Sequence, residues 1–236
     1  MYLERLQTAL PAIRERIAEA ATRSGRSGDD VTLVAVTKTH PVEAIDAALQ
    51  VGLRDLGENR VAELLQKTAA RPDADIRWHM IGHLQSRKAP QLIGHAHLIH
   101  SVDSVKLAAR LSRKLEETGG TERILVQVNT SGEGAKSGFD RPSAEDAILE
   151  IAALPGLRVD GLMTMAPFVD EEAVLRPCFA RLREISEAVR AAGTVGPALS
   201  MGMTNDLDLA IEEGSTMVRI GTALFGARPT PAATHA

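Results

Sequence analysis

The sequence predicts an α/β fold, a single (β/α)₈ barrel of the TIM type preceded by one extra helix. Eight short apolar runs rich in β-branched residues alternate with segments of helical spacing, which is typical of parallel strands joined by helical crossovers. The 236 residues are 44% hydrophobic and 25% charged, which suits one compact domain. The runner-up is an open doubly wound sheet, but no GxGxxG motif follows the first strand.

The N-terminal segment is the extra helix. Apolar residues lie three and four positions apart from Leu3 to Ile17, and the pattern ends near Ser24. Charged residues interrupt this segment, which argues against a secretion signal. No run in the chain approaches the roughly 18 apolar residues of a membrane-spanning helix, so we expect no membrane association.

The eight predicted strands follow in order. They cover residues 31–36, 53–56, 76–81, 97–102, 124–128, 157–163, 198–201 and 217–220. Helical spacing predicts crossover helices over residues 41–49, 61–69, 104–117, 143–154, 171–192 and 206–213. Residues 1–228 are therefore expected to form the single barrel domain, and residues 229–236 a disordered tail without apolar periodicity.

Charge and cysteine content limit the possible partners and location. A net charge of −4 and a pI near 6.0 argue against a nucleic-acid-binding surface, which needs clustered Lys and Arg. Cys178 is the single cysteine, so no intrachain disulfide can form, and a cytoplasmic location is expected.

Polar residues at the strand ends are the candidate site residues, because chemistry in such barrels lies at the C-terminal ends of the strands. Lys38 directly follows the first strand. A low-dielectric barrel mouth disfavours its ammonium form and makes the lysine a good imine former. From position alone, the alternative is a rim lysine paired with a carboxylate.

The segments after strands seven and eight predict an anion site. Gly202, Gly221 and Arg219 lie there, and such loops commonly bind phosphate through backbone N–H groups. The added hydroxyl donors are Ser200, Thr204 and Thr222. The alternative is a tight turn that closes the barrel beside a core arginine. Together with Lys38, the segments favour a phosphorylated aldehyde as ligand.

Five motifs occur in a fixed order: VAVTKT at 34–39, GEN at 57–59, WHMIGHLQ at 78–85, LSMGMT at 199–204 and GSTMVRIG at 214–221. In content, order and spacing they resemble the signatures of the pyridoxal phosphate homeostasis proteins. The resemblance extends from about Val31 to Gly226. It implies the fold-type III barrel of the alanine racemase N-terminal domain, with pyridoxal 5′-phosphate (PLP) as cofactor and Lys38 as its Schiff-base lysine.

The resemblance also implies the other cofactor contacts. The implied cofactor-binding set is Lys38, Asn59, Ser200, Met201, Gly202, Thr204, Arg219, Gly221 and Thr222. Within this set the phosphate belongs to Ser200, Gly221 and Thr222, and Asn59 lies near the cofactor. Arg219 is close to either the ring nitrogen or the phosphate, and both roles stay open. Beside the nitrogen, a cation would discourage ring protonation and weaken the ring as an electron sink.

The expected function is PLP homeostasis and delivery rather than catalysis. Racemases and decarboxylases that resemble this barrel add a C-terminal β-rich domain, and the residues after the barrel are too few for one. A racemase also needs a second acid–base group on the other face of the cofactor, and the only candidates for it are His83 and Tyr2. We expect a monomeric PLP-binding protein that serves PLP-dependent apoenzymes, with no catalytic residue; the alternative is a weak PLP-dependent amino-acid racemase.

The histidines suggest a third possibility, a metal-dependent barrel hydrolase. The relevant residues are His79, His83, His95, His97 and His100. Few carboxylates accompany them at the strand ends, so we expect no metal site.

Overall fold

A computed structural model describes residues 1–133 and 137–227, in which parallel strands and helices alternate. The strands are β1 (Thr32–Val36), β2 (Asp55–Glu58), β3 (Arg77–Met80), β4 (Leu98–Val102), β5 (Glu122–Asn129), β6 (Phe139–Asp140), β7 (Leu157–Met163), β8 (Ala198–Ser200) and β9 (Met217–Ile220). The helices are α1 (Tyr2–Arg23), α2 (Val42–Gln50), α3 (Val61–Ala70), α4 (Val105–Thr118), α5 (Arg141–Ala152), α6 (Glu172–Arg190), α7 (Leu207–Glu212) and α8 (Thr222–Phe225). The predicted tail, residues 229–236, lies outside the described residues.

Eight of these strands close into a parallel barrel. The sheet order runs β4-β3-β2-β1-β9-β8-β7-β5, and β4 also pairs with β5, which joins the two ends. Among the described strands, the short β6 pairs with β5 alone and lies outside the closed barrel. The predicted (β/α)₈ barrel and its extra N-terminal helix are confirmed.

Two layers of side chains fill the space inside and outside the barrel. The larger apolar core lies between strands and helices and includes the buried face of α1, from Leu6 to Ala21. A smaller apolar cluster of Leu98, Leu125 and Met163 lies apart from it. Side chains on a strand alternate between its two faces, so residues two positions further along continue the inward face toward the C-terminal ends.

The second strand begins later than predicted. The apolar pattern favours residues 53–56, whereas β2 covers Asp55–Glu58. Leu53 is buried, but its N–H donates to the Ala48 carbonyl and closes the turn after α2. Glu58 continues the strand because its buried carboxylate is paired with Lys67, which an apolar pattern does not reveal.

Within the described part of the chain, no helix has the length and apolar character that a membrane crossing requires.

Candidate cofactor site

A cavity of about 840 Å³ opens at the C-terminal ends of the barrel strands. Six of the nine predicted cofactor-binding residues line it: Lys38, Asn59, Thr204, Arg219, Gly221 and Thr222. The walls include residues that follow seven different strands, together with Arg5 of helix α1. A barrel brings these distant segments together because all its parallel strands end at the same mouth.

Ser200, Met201 and Gly202 form the wall behind this cavity. All three are buried, and none of them lines the cavity. Gly202 has a φ of +95°, and a Cβ there would lie 2.7 Å from the Cβ of Ala210, so only glycine fits this turn. The Ser200 side chain faces the barrel interior, where its hydroxyl contacts Arg219.

Hydrogen bonds to two glutamates fix the backbone on both sides of Lys38. Thr39 has a φ of +65°, which is uncommon for a residue other than glycine. Its N–H donates to Oε1 of Glu63 at 2.6 Å. On the other side, the Thr37 hydroxyl donates to Oε1 of Glu58 at 2.6 Å. These bonds fix the turn that carries the half-buried Lys38 into the cavity.

A buried ion cluster supports this turn. The Lys67 ammonium donates to Oε1 of Glu58 at 2.6 Å, to Oε1 of Glu63 at 2.9 Å and to the Thr37 carbonyl at 2.8 Å. Burial raises the pKa of Glu58, and the Lys67 ammonium opposes that rise. The sequence shows only the Glu63–Lys67 spacing of four on a helix, so the cluster could not be predicted.

Arg219 forms part of the cavity floor. Its Nη1 donates to the Ser200 carbonyl at 2.8 Å and to the Ser200 hydroxyl at 2.6 Å, and its Nη2 donates to the Thr164 carbonyl at 3.0 Å. Burial lowers the pKa of Arg219 to about 10, with Asp206 opposing. The guanidinium therefore keeps its charge at neutral pH.

One cation of the site comes from outside the barrel strands. Arg5 lines the cavity, and its Nη2 lies 3.4 Å from the carbonyl oxygen of Thr222. Its guanidinium packs against Gly226, where an added Cβ would lie 3.1 Å from Cζ of Arg5. Arg5 could not be predicted from strand-end position because it belongs to helix α1, and its neighbouring residues in the sequence carry no distinguishing signal.

The acid–base candidates and the histidines lie in different places. His83 lines the cavity and pairs with Asp103 at 3.2 Å, whereas Tyr2 hydrogen-bonds His40 at 3.1 Å and is not part of the cavity lining. Among residues 1–133 and 137–227, no three His, Cys, Asp or Glu side chains are placed to hold a metal ion.

Comparison with known proteins shows the family to which this barrel belongs. Residues 9–229 match the family described as the alanine racemase N-terminal domain, which defines the class of barrel. The pyridoxal phosphate homeostasis protein of Pseudomonas aeruginosa is 43% identical over 219 residues, 92% of this chain and 93% of the relative. That of Aquifex aeolicus is 40% identical over 220 residues, with coverage of 93% and 96%. The chain belongs to the pyridoxal phosphate homeostasis protein family, as its motifs predicted.

A solved structure extends the comparison to a cofactor complex. PipY of Synechococcus elongatus PCC7942, solved with PLP bound, has a TM-score of 0.79 and 37% identity to this chain. The match covers 89% of this chain and 100% of PipY.

Proposed function

We propose that this protein binds PLP as a Schiff base on Lys38 and takes part in intracellular PLP homeostasis. One observation carries the proposal: the Lys38 side chain shares a single cavity with Arg219, Gly221 and Thr222. PLP needs an amine for its aldehyde, a partner for its ring nitrogen and donors for its phosphate. This cavity supplies all three kinds of group.

We assign the phosphate group of PLP to the residues at the rim of the cavity. Gly221 and Thr222 line the cavity at the end of β9, and glycine there allows close backbone approach. Arg5 and Thr204 line the same cavity and add a cation and a hydroxyl. The hydroxyl of Ser200 is engaged behind the wall, so we assign Ser200, Met201 and Gly202 to support of the site rather than to direct phosphate contact.

Arg219 is assigned to the ring nitrogen. Its side chain contacts Ser200 on the neighbouring strand β8 and Thr164 after β7, at the floor, whereas the proposed phosphate residues follow β9 at the rim. A guanidinium that stays charged can donate a hydrogen bond to the nitrogen but does not supply a proton. PLP supplies an electrophilic ring when bound, and this partner weakens it as an electron sink, which favours a carrier over an enzyme.

The carrier role includes transfer of PLP to apoenzymes by a monomer in the cytoplasm. The second candidate function is weak amino-acid racemisation, which the presence of His83 in the cavity lining favours. His83 is mostly exposed, with 62% of its side chain accessible. Such a group exchanges protons with solvent and is a poor stereospecific acid–base partner for one face of a cofactor.

The test is a PLP titration followed by visible absorbance, with Lys38→Ala and Lys106→Ala variants; Lys106 is an exposed lysine on α4. Wild type and Lys106→Ala are expected to develop Schiff-base absorbance at one equivalent, and Lys38→Ala is not. The loaded protein is then mixed with a PLP-dependent apoenzyme, or with L-alanine. Recovery of apoenzyme activity without racemisation supports the carrier; sustained racemisation supports the alternative.

A further inference from the structure

A continuous hydrogen-bond chain crosses the barrel interior from the cavity floor to the opposite end. Nη1 of Arg219 donates to Oγ of Ser200 at 2.6 Å, and this Oγ lies 2.8 Å from Nδ1 of His100. Nε2 of His100 lies 2.8 Å from Nδ1 of His79, and Nε2 of His79 lies 3.0 Å from Oδ1 of Asp55. Asp55 begins β2, at the far end of the barrel from the cavity.

The donor and acceptor in each hydrogen bond of this chain follow from the charge states of Asp55 and His100. Burial favours the neutral form of Asp55, but hydrogen bonds from Arg77 and His79 outweigh it and hold the pKa of Asp55 well below its usual range. The carboxylate therefore only accepts, and Nε2 of His79 donates to it. Burial lowers the pKa of His100 well below its usual value, so His100 is neutral. A neutral imidazole that donates through Nε2 accepts through Nδ1, and in this arrangement Nε2 of His100 donates to Nδ1 of His79.

This assignment determines the direction in which the Ser200 hydroxyl donates its hydrogen bond. Nδ1 of His100 is then an acceptor, so the single hydroxyl proton of Ser200 is donated to it. Oγ of Ser200 in turn accepts a hydrogen bond from Nη1 of Arg219. The three bonds to Ser200 and Thr164 use three of the five N–H groups of the guanidinium and fix its plane.

We propose that His100, supported by His79 and Asp55, is a positioning residue that fixes Arg219 at the cavity floor for cofactor binding. The proposal rests on the proposed function, since the ligand is PLP. Three of the five members, Ser200, His100 and His79, are almost completely buried, at 0%, 0% and 1% exposure. Polar groups at such depth are stabilising only when each one is hydrogen-bonded, and the chain satisfies that condition through to Arg219.

The experiment compares His100→Leu, which removes the acceptor for Ser200, with His100→Asn, whose amide oxygen can replace Nδ1. Each is titrated with PLP and with pyridoxal, which lacks the phosphate, and the ring nitrogen of ¹⁵N-labelled cofactor is observed by NMR. His100→Leu is expected to lower the affinity for both ligands by the same factor, roughly tenfold for one lost buried hydrogen bond. The ¹⁵N resonance should shift, and His100→Asn should restore much of both effects.

Two results would overturn the proposal. If His100→Leu weakens PLP but not pyridoxal, Ser200 acts on the phosphate instead. If the ¹⁵N resonance and both affinities stay unchanged while the melting temperature falls, the histidines only pack the barrel. Ser200→Ala repeats the measurement with a smaller change if His100→Leu does not fold. Failure of the wild-type protein to bind PLP at Lys38 would instead refute the proposed function.

Discussion

Among the described residues, three Lys and Arg side chains line the cavity, and each is held by a different part of the fold. Lys38 follows β1, Arg219 lies on β9 and Arg5 belongs to helix α1. Arg219 is only 6% exposed and bonded on two sides, whereas Arg5 is exposed and contacts the Thr222 carbonyl at 3.4 Å. Their contributions to an anionic ligand should therefore differ in size and in salt dependence.

Arg5→Gln should lower the affinity for PLP by roughly two- to fivefold, which is the effect expected from loss of an exposed ion pair. Affinity for pyridoxal should stay unchanged, because the lost partner is the phosphate. The control is Arg14→Gln on the same helix, which is exposed and lies outside the cavity lining. Equal losses for PLP and pyridoxal would show that Arg5 does not act on the phosphate, as would a loss that persists in high salt.

Glu122→Gln should change how stability depends on pH. Glu122 is buried at the start of β5, and burial raises its pKa to about 7 against one hydrogen bond from the N–H of Gly94. A carboxyl with a raised folded-state pKa stabilises the fold fully at acidic pH and loses that contribution as pH rises through the folded value. The free energy of unfolding should fall by about 3 kcal/mol between pH 4.5 and 7 from this group alone.

The measurement is urea unfolding of wild type and Glu122→Gln at pH 5 and pH 8. Similar stabilities at pH 5 and a more stable variant at pH 8 are expected, because glutamine keeps the acceptor for Gly94 without a charge. Parallel pH profiles for the two proteins would contradict the raised pKa.

At this scale, strand-end position predicts which residues reach the cavity, but not always which way they point. Lys38, Arg219, Gly221 and Thr222 follow from strand-end position, whereas Asn59 follows from the family resemblance. Ser200 was expected at the phosphate, yet its side chain takes the inward face of β8 and meets His100. One sequence cannot show that a serine and a histidine a hundred positions apart are neighbours.

At the scale of elements, the ion cluster ties helix α3 to the ends of β1 and β2. Lys67→Met should destabilise the protein by about 3 to 5 kcal/mol, since it leaves the Glu58 carboxylate buried without a cation. The double variant Lys67→Met/Glu58→Gln removes both charges and should recover much of the loss. Urea unfolding tests both, and a single variant as stable as wild type would contradict a structural role for the pair.

The elements themselves were largely predictable. All eight barrel strands and the N-terminal helix follow from apolar periodicity, because a strand buried on both faces reads as an apolar run. Two short elements, β6 and α8, were not predicted. With two and four residues, they are too short to generate a period, and pairing with β5 or the preceding turn determines them.

At the scale of the whole molecule, barrel closure pairs every barrel strand on both sides. Closure leaves none of the eight barrel strands with an open edge for pairing with a second chain, and the appended β6 has only two residues. We therefore expect a monomer of 25.2 kDa by sedimentation, with and without PLP. A stable mass twice that value, or one that changes with PLP, would contradict this expectation and point to an interface across another surface.

Chemical mapping of the lysine that holds PLP tests directly whether the cofactor is attached to Lys38. Loaded protein is reduced with borohydride, digested and analysed by mass spectrometry, alongside Lys38→Ala and Lys106→Ala. We expect one pyridoxyl-lysine, on Lys38, in wild type and Lys106→Ala, and none in Lys38→Ala. Equal labelling of Lys38→Ala, or label spread over several exposed lysines, would contradict attachment of PLP to Lys38.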